Sequence, residues 1–164
     1  RPPRLSVSSS ATMGKRLPHL YSAAYLMIQR QGSILMSQRF NTGFMDGWYT
    51  LPAGHVRPGE RIADAAVREA KEETNLDIDA RDVKISSVIH RNMGKREYMD
   101  VFVAVQAWKG EVSNPEPDKC SDLRFFPVDA LPEKTLDYVR QGIDASLAGV
   151  PFNEHGWPPR DPKP

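Results

Sequence analysis

The sequence predicts a single α+β domain in which a layered sheet packs against helices. At 164 residues, with 40% hydrophobic and 26% charged residues, the chain has the size and composition of one soluble globular domain. Segments with strand patterns outnumber the two segments with helical patterns. Several of the strands adjoin through tight turns, which favours a mixed α+β arrangement over a regular βαβ repeat.

Each element is predicted from a local pattern. Apolar, β-compatible runs predict strands, and the turn at Gln31-Gly32 joins the first two into a hairpin. The Ala-rich stretch 61–74, without internal Gly or Pro and ended by Asn75, predicts a helix, and residues 136–147 predict a second one. The predicted strands are residues 21–29, 33–37, 48–51, 83–90, 98–108 and 123–128.

Two tails frame this domain, which we expect to span residues 18–150. Residues 1–17 are rich in Ser, Pro and basic residues and lack the apolar core of a signal peptide, so they are expected to form a flexible leader. Residues 151–164 are expected to form a Pro-rich C-terminal tail. The stretch 152–157 is unusually aromatic, so we expect it to dock on its own domain or on the second subunit of a homodimer.

Charge and cysteine content argue against several classes of protein. The net charge is +1 and the basic residues are spread among acids, so a polymeric nucleic acid is not the expected partner. The single cysteine, Cys120, excludes an intramolecular disulfide and a cysteine-rich zinc site, and favours a reducing, cytoplasmic setting. No apolar run approaches the ~20 residues that span a bilayer, so no membrane partner is expected.

The predicted helix 61–74 carries three clustered carboxylates. Glu69, Glu72 and Glu73 are spaced i, i+3 and i+4, which places them side by side at the border of the apolar face. Such like-charge pairs cost an isolated helix about 0.2–0.5 kcal/mol each, and the helix dipole disfavours anions in the last turn. A hard divalent cation would reverse this cost. The alternative is a solvated, Glu-rich helix face. The face expected to pack comprises Ile62, Ala63, Ala66, Val67, Ala70 and Thr74.

The segment around this helix resembles the signature of the Nudix hydrolase family. Residues 54–76 begin Gly54-His-Val-Arg-Pro-Gly-Glu60 and, seven residues later, continue Arg68-Glu-Ala-Lys-Glu-Glu-Thr-Asn-Leu76. That signature is Gly, five residues, Glu, seven residues, Arg-Glu, an aliphatic residue, any residue, Glu-Glu, any residue, Gly and an aliphatic residue. Every fixed polar position matches. Asn75 replaces the last glycine, and Asn is the next most tolerant residue for a left-handed helix terminator.

The resemblance implies a fold, a cofactor and a set of site residues. The expected fold is a mixed β-sheet sandwiched between α-helices, and the expected chemistry is Mg²⁺-dependent hydrolysis of a diphosphate linkage in a nucleotide, with Mn²⁺ as a substitute. Gly54 permits a close approach of the backbone, and Arg68 is expected to pair with Glu60. The alternative for Arg68 is a simple surface cation. The implied metal ligands are the carboxylates of Glu69, Glu72 and Glu73 and the backbone carbonyl of Ala53.

Residues after the signature bear on the substrate. Sixteen residues beyond Asn75 stands Arg91, with no nearby Pro or Tyr of the kind that marks ADP-ribose and diadenosine polyphosphate hydrolases of the family. Residues 97–101 resemble a segment of MutT-type 8-oxo-dGTP hydrolases in which the Glu is a further acid of the metal site. Glu97 is therefore the candidate fourth carboxylate. Its alternative is a solvated residue of a hairpin.

A second downstream segment bears on the base pocket. Residues 116–126 resemble a part of another group of nucleotide-pool Nudix enzymes, in which the following strand helps to form that pocket. Phe125 or Phe126 is expected to stack on a base, and because strand side chains alternate, the other should enter the core. For either ring the alternative is a core residue. Thr50 is the expected polar contact to the base. Asp137 is a candidate for a purine edge and His55 for phosphate, and for both the alternative is an ordinary surface residue.

These features predict a MutT-like nucleoside triphosphate pyrophosphatase that releases a nucleoside monophosphate and pyrophosphate. A damaged or non-standard purine substrate such as 8-oxo-dGTP is the leading choice among small nucleotides. One alternative is a Nudix hydrolase of a nucleotide sugar or another specialised diphosphate metabolite. Another is a non-catalytic, nucleotide-sensing module, which the complete set of signature carboxylates disfavours.

Overall fold

The structure is a computed structural model that describes residues 19–162, so the predicted leader 1–17 lies outside the described residues. Within this range the chain forms eight strands, two α-helices and one short 3₁₀ turn, Ala80–Asp82. The helices are α1 (Ile62–Thr74) and α2 (Asp137–Leu147). The strands are β1 (Leu20–Arg30), β2 (Ser33–Arg39), β3 (Tyr49–Thr50), β4 (Ala53–His55), β5 (Val83–Asn92), β6 (Glu97–Val105), β7 (Cys120–Pro127) and β8 (Phe152–His155).

The strands form one mixed sheet with two arms that meet at the β1–β2 hairpin. In the first arm β1 lies between β4, which is antiparallel to it, and β6, which is parallel to it. Strand β5 runs antiparallel to β6, and β8 runs parallel to β5 at the edge. In the second arm β2 pairs antiparallel with both β3 and β7. The predicted mixed α+β class is therefore confirmed.

Two hydrophobic cores lie on opposite faces of the sheet. Alternate residues of β1 point to opposite sides, so Leu26 packs towards α1 while Tyr25 packs towards α2. On the α1 side, Ala66 and Ala70 are buried against the sheet. The helices thus cover both faces, which confirms the expected sandwich.

The predicted elements are found close to their expected positions, with some differences at their ends. Helix α1 ends as expected at Asn75, which adopts the left-handed conformation with φ 61° and donates its N–H to the carbonyl of Lys71. The packed face of α1 is rotated from the predicted one, because Ala65 and Glu69 are buried. Strand β6 ends at Val105, three residues earlier than predicted.

The C-terminal segment contributes structure that the sequence did not predict. Residues 151–164 were expected to be a tail, yet Phe152–His155 forms the edge strand β8. The prolines flank this strand and leave its interior free to pair with β5. Trp157 then donates its indole N–H to the carbonyl of His90 over 2.9 Å. The aromatic stretch therefore docks on its own domain. Neither helix in the described range is long and apolar enough to span a membrane.

Candidate active site

The loop before α1 is held against the helix by an ion pair. Arg68 donates from Nε and Nη2 to the two carboxylate oxygens of Glu60, over 2.8 and 3.0 Å, and from Nη2 to the carbonyl of His55 over 3.0 Å. The backbone N–H of Arg57 also donates to Glu60. Hydrogen bonds from Arg68 and from this N–H lower the pKa of Glu60 to about 2. The structure thus contains the pair that the signature implied.

Gly54 and Glu69 are in direct contact. Strand β4 pairs with β1 so that Gly54 lies opposite Ala24, and this position faces α1. A Cβ atom built on Gly54 would lie 1.8 Å from Oε1 of Glu69, so any larger residue there would require the Glu69 carboxylate to move. Glu69 is 7% exposed, and burial raises its pKa even though Arg68 contacts the carboxylate and opposes the shift.

Glu73 is the most strongly perturbed carboxylate of the helix. Its Oε2 accepts a hydrogen bond from the N–H of Ala53 over 2.9 Å. Burial, followed by the negative charge of Glu69, raises the pKa of Glu73 to about 8. Glu72, by contrast, is exposed, and its carboxylate lies 3.3 Å from Arg68 and 3.7 Å from Arg57. Carboxylates of the same helix therefore differ sharply in environment.

The carboxylates of α1 fit a divalent cation by their chemistry and position. Burial and the charge of Glu69 raise the pKa of Glu73, and a hard cation with oxygen ligands would supply positive charge that stabilises the ionised carboxylate. Within residues 19–162, no three acidic, His or Cys side chains converge as a ready-made metal site. The reason is visible in the contacts. Glu69 and Glu72 turn to Arg68, and Glu73 turns to the N–H of Ala53.

A cavity of about 630 Å³ opens beside Glu73 and extends between the two arms of the sheet. This volume is in the range of sites for small molecules. Its wall combines aromatic rings with positive charges. The rings belong to Tyr25, Phe44, His55, Tyr98 and Tyr138, and the charges to Arg39, Arg91, Lys95, Arg96 and Lys119.

Several predicted site residues share this cavity. Thr50, Ala53, Gly54, His55 and Glu73 all line it. Thr50 is buried on β3, and its neighbour in the sheet is Ser37 of β2, which lines the cavity as well. The cavity therefore brings Glu73 of α1 together with three of the residues predicted to contact the substrate, Thr50, Gly54 and His55.

The structure does not bring the two predicted phenylalanines to the described cavity wall. Phe125 lies under the guanidinium of Arg30, 4.4 Å from its ring centroid, and packs on the core beside α1. Phe126 packs edge-to-face on Tyr49 at 5.2 Å, on the core beside α2. Alternation along β7 separates the two rings as expected, but each one joins a core.

Two predicted acids also lie apart from the described lining. Asp137, at the start of α2, borders a separate shallow groove with Arg140 and Asp144. Glu97 begins β6, and its carboxylate lies 3.4 Å from Nε2 of His90. The next residue, Tyr98, faces the cavity, so alternation along the strand directs Glu97 to the other side of the sheet.

One pair of charged residues at the cavity was not predicted from the sequence. Arg91 of β5 and Asp100 of β6 form a buried ion pair, with Nε to Oδ2 at 2.5 Å and Nη2 to Oδ1 at 3.1 Å. Burial raises the pKa of Asp100, and the hydrogen bonds from Arg91 oppose that shift. A sequence signal existed, because Asp100 interrupts the apolar run 98–105, and a charge at such a position is expected to be buried and to need a partner.

Comparison with known proteins agrees with this geometry. The profile of the NUDIX domain matches residues 18–146. The NAD-capped RNA hydrolase NudC of Stutzerimonas stutzeri is 25% identical over 70% of this chain, which spans only 39% of that protein. An oxidized purine nucleoside triphosphate hydrolase of Danio rerio is 28% identical over 65% of this chain and 66% of its own length. An ADP-ribose pyrophosphatase of Methanocaldococcus jannaschii is 30% identical over 68% and 64%, respectively.

Solved structures show the same fold. A MutT Nudix hydrolase from Burkholderia pseudomallei superposes with a TM-score of 0.71 at 23% identity, covering 77% of this chain and 98% of that one. The profile match covers most of the chain and includes β4, the loop and α1, where the signature residues lie. The chain belongs to the Nudix hydrolase family.

Proposed function

We propose that this protein uses Mg²⁺, with Mn²⁺ as a substitute, to hydrolyse the diphosphate linkage of a nucleoside triphosphate into a nucleoside monophosphate and pyrophosphate. The observation that carries the proposal is Glu73. This carboxylate, with a pKa of about 8, lies on the wall of a cavity of about 630 Å³ and accepts a hydrogen bond from the N–H of Ala53, the residue before Gly54. Strongly shifted acids in clefts are typical of functional sites.

The residues of the chain have distinct roles in this proposal. Glu69, Glu72 and Glu73, with the carbonyl of Ala53, would hold the cation. A bound Mg²⁺ supplies positive charge that neutralises phosphate and activates water. Arg68 fixes the loop to the helix through Glu60 and also contacts Glu69, a carboxylate that would turn to the cation in the metal-bound protein.

The charge of the cavity wall supports a polyphosphate ligand. Five positive side chains line the cavity, against the two carboxylates of Glu73 and Glu116. Lys119 is paired with Glu116 at 2.8 Å. Lys95 and Arg96 on the β5–β6 turn make no ion pair with any residue in the described range, so they are available to an anion. His55 also lines the cavity, with its ring 5.8 Å from that of Tyr98, and is a further proposed phosphate contact.

A purine triphosphate, with 8-oxo-dGTP as the leading compound, is the proposed substrate. The aromatic side chains of the wall offer surfaces on which a base can pack, and Thr50 offers a hydroxyl. The relative from Danio rerio is named for oxidized purine nucleoside triphosphates. A second candidate substrate is a nucleoside diphosphate linked to a sugar, such as ADP-ribose, because the relative from Methanocaldococcus jannaschii is named as an ADP-ribose pyrophosphatase.

The test is a substrate screen of the purified full chain with Mg²⁺. The compounds are dNTPs including 8-oxo-dGTP, NTPs, nucleotide sugars, ADP-ribose and prenyl diphosphates, with phosphate products resolved by chromatography. We expect triphosphates to give a monophosphate and pyrophosphate. Turnover of ADP-ribose or a nucleotide sugar without turnover of any triphosphate would favour the second candidate and overturn the first.

A matched pair of variants tests the assignment of the helix. Glu73→Gln is expected to remove hydrolysis of whichever substrate is found, because the neutral amide is a poor ligand for a hard cation. Glu111→Gln makes the same change at an exposed position outside the cavity and is expected to retain activity. Full activity of Glu73→Gln would show that α1 is not the metal site. Loss of hydrolysis with retained nucleotide binding is the expected result.

A further inference from the structure

The Arg91–Asp100 pair occupies the cavity wall apart from the carboxylates of α1. Arg91 is 4% exposed and Asp100 is fully buried. Besides its two hydrogen bonds to Asp100, the guanidinium packs on two rings, 4.4 Å from the centroid of Tyr98 and 3.9 Å from that of Tyr138. A guanidinium held by a carboxylate along one edge and by rings at its face has a fixed orientation.

Three N–H groups of Arg91 remain without a strong acceptor in the described structure. The guanidinium carries five N–H groups, and Asp100 accepts one from Nε and one from Nη2. Nη1 contacts the sulfur of Met93, and a thioether is a weak acceptor. Met93 is 46% exposed, lies at the β5–β6 turn and lines the same cavity. An incoming acceptor can therefore replace this sulfur at little cost.

The charges around Arg91 favour an uncharged acceptor over a phosphate. Asp100 already neutralises the guanidinium and would repel a further anion at this point. Lys95 and Arg96 lie on the adjacent turn, line the same cavity and have no carboxylate partner within residues 19–162. Phosphate groups are thus expected at these two residues. The donors of Arg91 are left for the neutral, aromatic part of the substrate.

Building on the proposed function, we infer that Arg91 selects the base by donating from Nη1 to the 6-keto oxygen of a purine. Guanine, hypoxanthine and 8-oxoguanine present this acceptor, whereas adenine presents a 6-amino donor that would face another donor. A mismatch of this kind corresponds to about 5- to 150-fold in affinity. Asp100 positions the guanidinium, and Met93 covers it until the base arrives.

Binding measurements on the full chain test this inference separately from hydrolysis. Affinities for dGTP, dITP, 8-oxo-dGTP and dATP are measured by calorimetry with Mg²⁺ in the Glu73→Gln background, where turnover cannot consume the ligand. We expect dATP to bind at least fivefold more weakly than the three 6-oxopurines. Equal affinities for all four nucleotides would overturn the inference without any further substitution.

Two variants distinguish a contact to the base from a contact to phosphate. Arg91→Lys keeps a positive charge opposite Asp100 but loses the fixed planar donors, so the preference over dATP should fall towards onefold. Lys95→Met is the matched control and should weaken all four nucleotides by a similar factor. If Arg91→Lys also weakens all four equally, Arg91 binds phosphate and the inference is wrong.

A third variant covers the case in which Arg91→Lys does not fold, as judged by circular dichroism. Met93→Leu removes the sulfur from Nη1 and leaves the ion pair intact, so it should strengthen binding of the 6-oxopurines about twofold and leave dATP unchanged. No change, or an equal gain for all four nucleotides, contradicts the inference. Selective binding in a protein whose unsubstituted form hydrolyses no triphosphate would contradict the proposed function and leave the base contact standing.

Discussion

Replacing Glu73 with Gln is expected to stabilise the metal-free protein at neutral and alkaline pH, although it removes the proposed activity. The reason lies in the environment of this carboxylate, where burial and the nearby charge of Glu69 raise the pKa to about 8 from an ordinary value of 4.5. Gln has nearly the same shape, carries no charge and still accepts the hydrogen bond from the N–H of Ala53. The variant therefore removes the electrostatic cost and keeps the packing.

The pH dependence has a definite sign. Between pH 4.5 and 8 the unfolded chain has lost the proton of Glu73 while the folded chain still holds it, so the free energy of unfolding falls as pH rises. The pKa of Glu73 is about 8 in the folded chain and 4.5 in the unfolded chain, and each unit of pKa corresponds to 1.36 kcal/mol. Above pH 8 the loss of stability caused by this carboxylate therefore has an upper limit of about 5 kcal/mol. Glu73 is partly exposed on the cavity side, where water screens the charge. We therefore expect about 2–3 kcal/mol.

Urea unfolding in the presence of EDTA at pH 4.5, 7 and 9 measures this effect. The stability difference between Glu73→Gln and the unsubstituted chain should rise from near zero at pH 4.5 to about 2–3 kcal/mol at pH 9. Glu72→Gln is the control, because this exposed residue makes only surface ion pairs, worth about 0.5 kcal/mol. A difference that does not depend on pH, or a loss of stability at pH 9, would refute the reasoning.

Three further outcomes follow from the site and the C-terminal strand. Gly54→Ala places a Cβ on the Glu69 carboxylate, so steady-state kinetics should show kcat/KM lower by about 100-fold, and unchanged kinetics would mean that Glu69 moves freely. Arg68→Met removes the partner that lowers the pKa of Glu60 to about 2. The stability that this ion pair contributes is fully present above pH 4.5 and is lost as the pH falls towards 2. In an acid titration, the difference in Tm between the unsubstituted chain and Arg68→Met should therefore shrink between pH 4.5 and 2. Trp157→Ala should cost about 1–2 kcal/mol in urea unfolding and speed amide exchange in β5, and an unaltered exchange rate would show that the C-terminal contact is dispensable.

The parts of the fold that the sequence predicted are those determined by local patterns. Residues 21–29 read as an apolar strand whichever partner they find, and Asn75 reads as a helix terminator because few residues tolerate a left-handed conformation. Strand β8 depends instead on pairing with β5, more than sixty residues earlier in the chain. The neighbouring prolines made this segment look like an unstructured tail. A local sequence pattern cannot show that the edge of β5 is available for pairing.

The candidate site divides in the same way. Fixed spacing along one helix is enough to place Glu69 and Glu73 next to Gly54, since the loop and helix form a continuous segment. The base pocket depends on which faces of distant strands meet. Phe125 is the right residue type for stacking on a base, but its ring packs against the core beside α1, under Arg30, and does not line the cavity. Arg91 had no such motif and faces the cavity.

The substrate is therefore decided by residues outside the signature. Relatives named for capped RNA, for oxidized purine triphosphates and for ADP-ribose all match this chain, so a segment common to the family does not distinguish among these compounds. Discrimination requires directional groups in the cavity, and the wall formed by β5, β6 and α2 contributes Arg91, Tyr98 and Tyr138. Of these three side chains, Arg91 alone can only donate hydrogen bonds, so it accepts a keto oxygen as a partner and disfavours an amino group. A Tyr hydroxyl can donate or accept and does not make this distinction. A base preference that is insensitive to Arg91 would move the specificity to the opposite wall, formed by β2, β3 and the loop that follows β2.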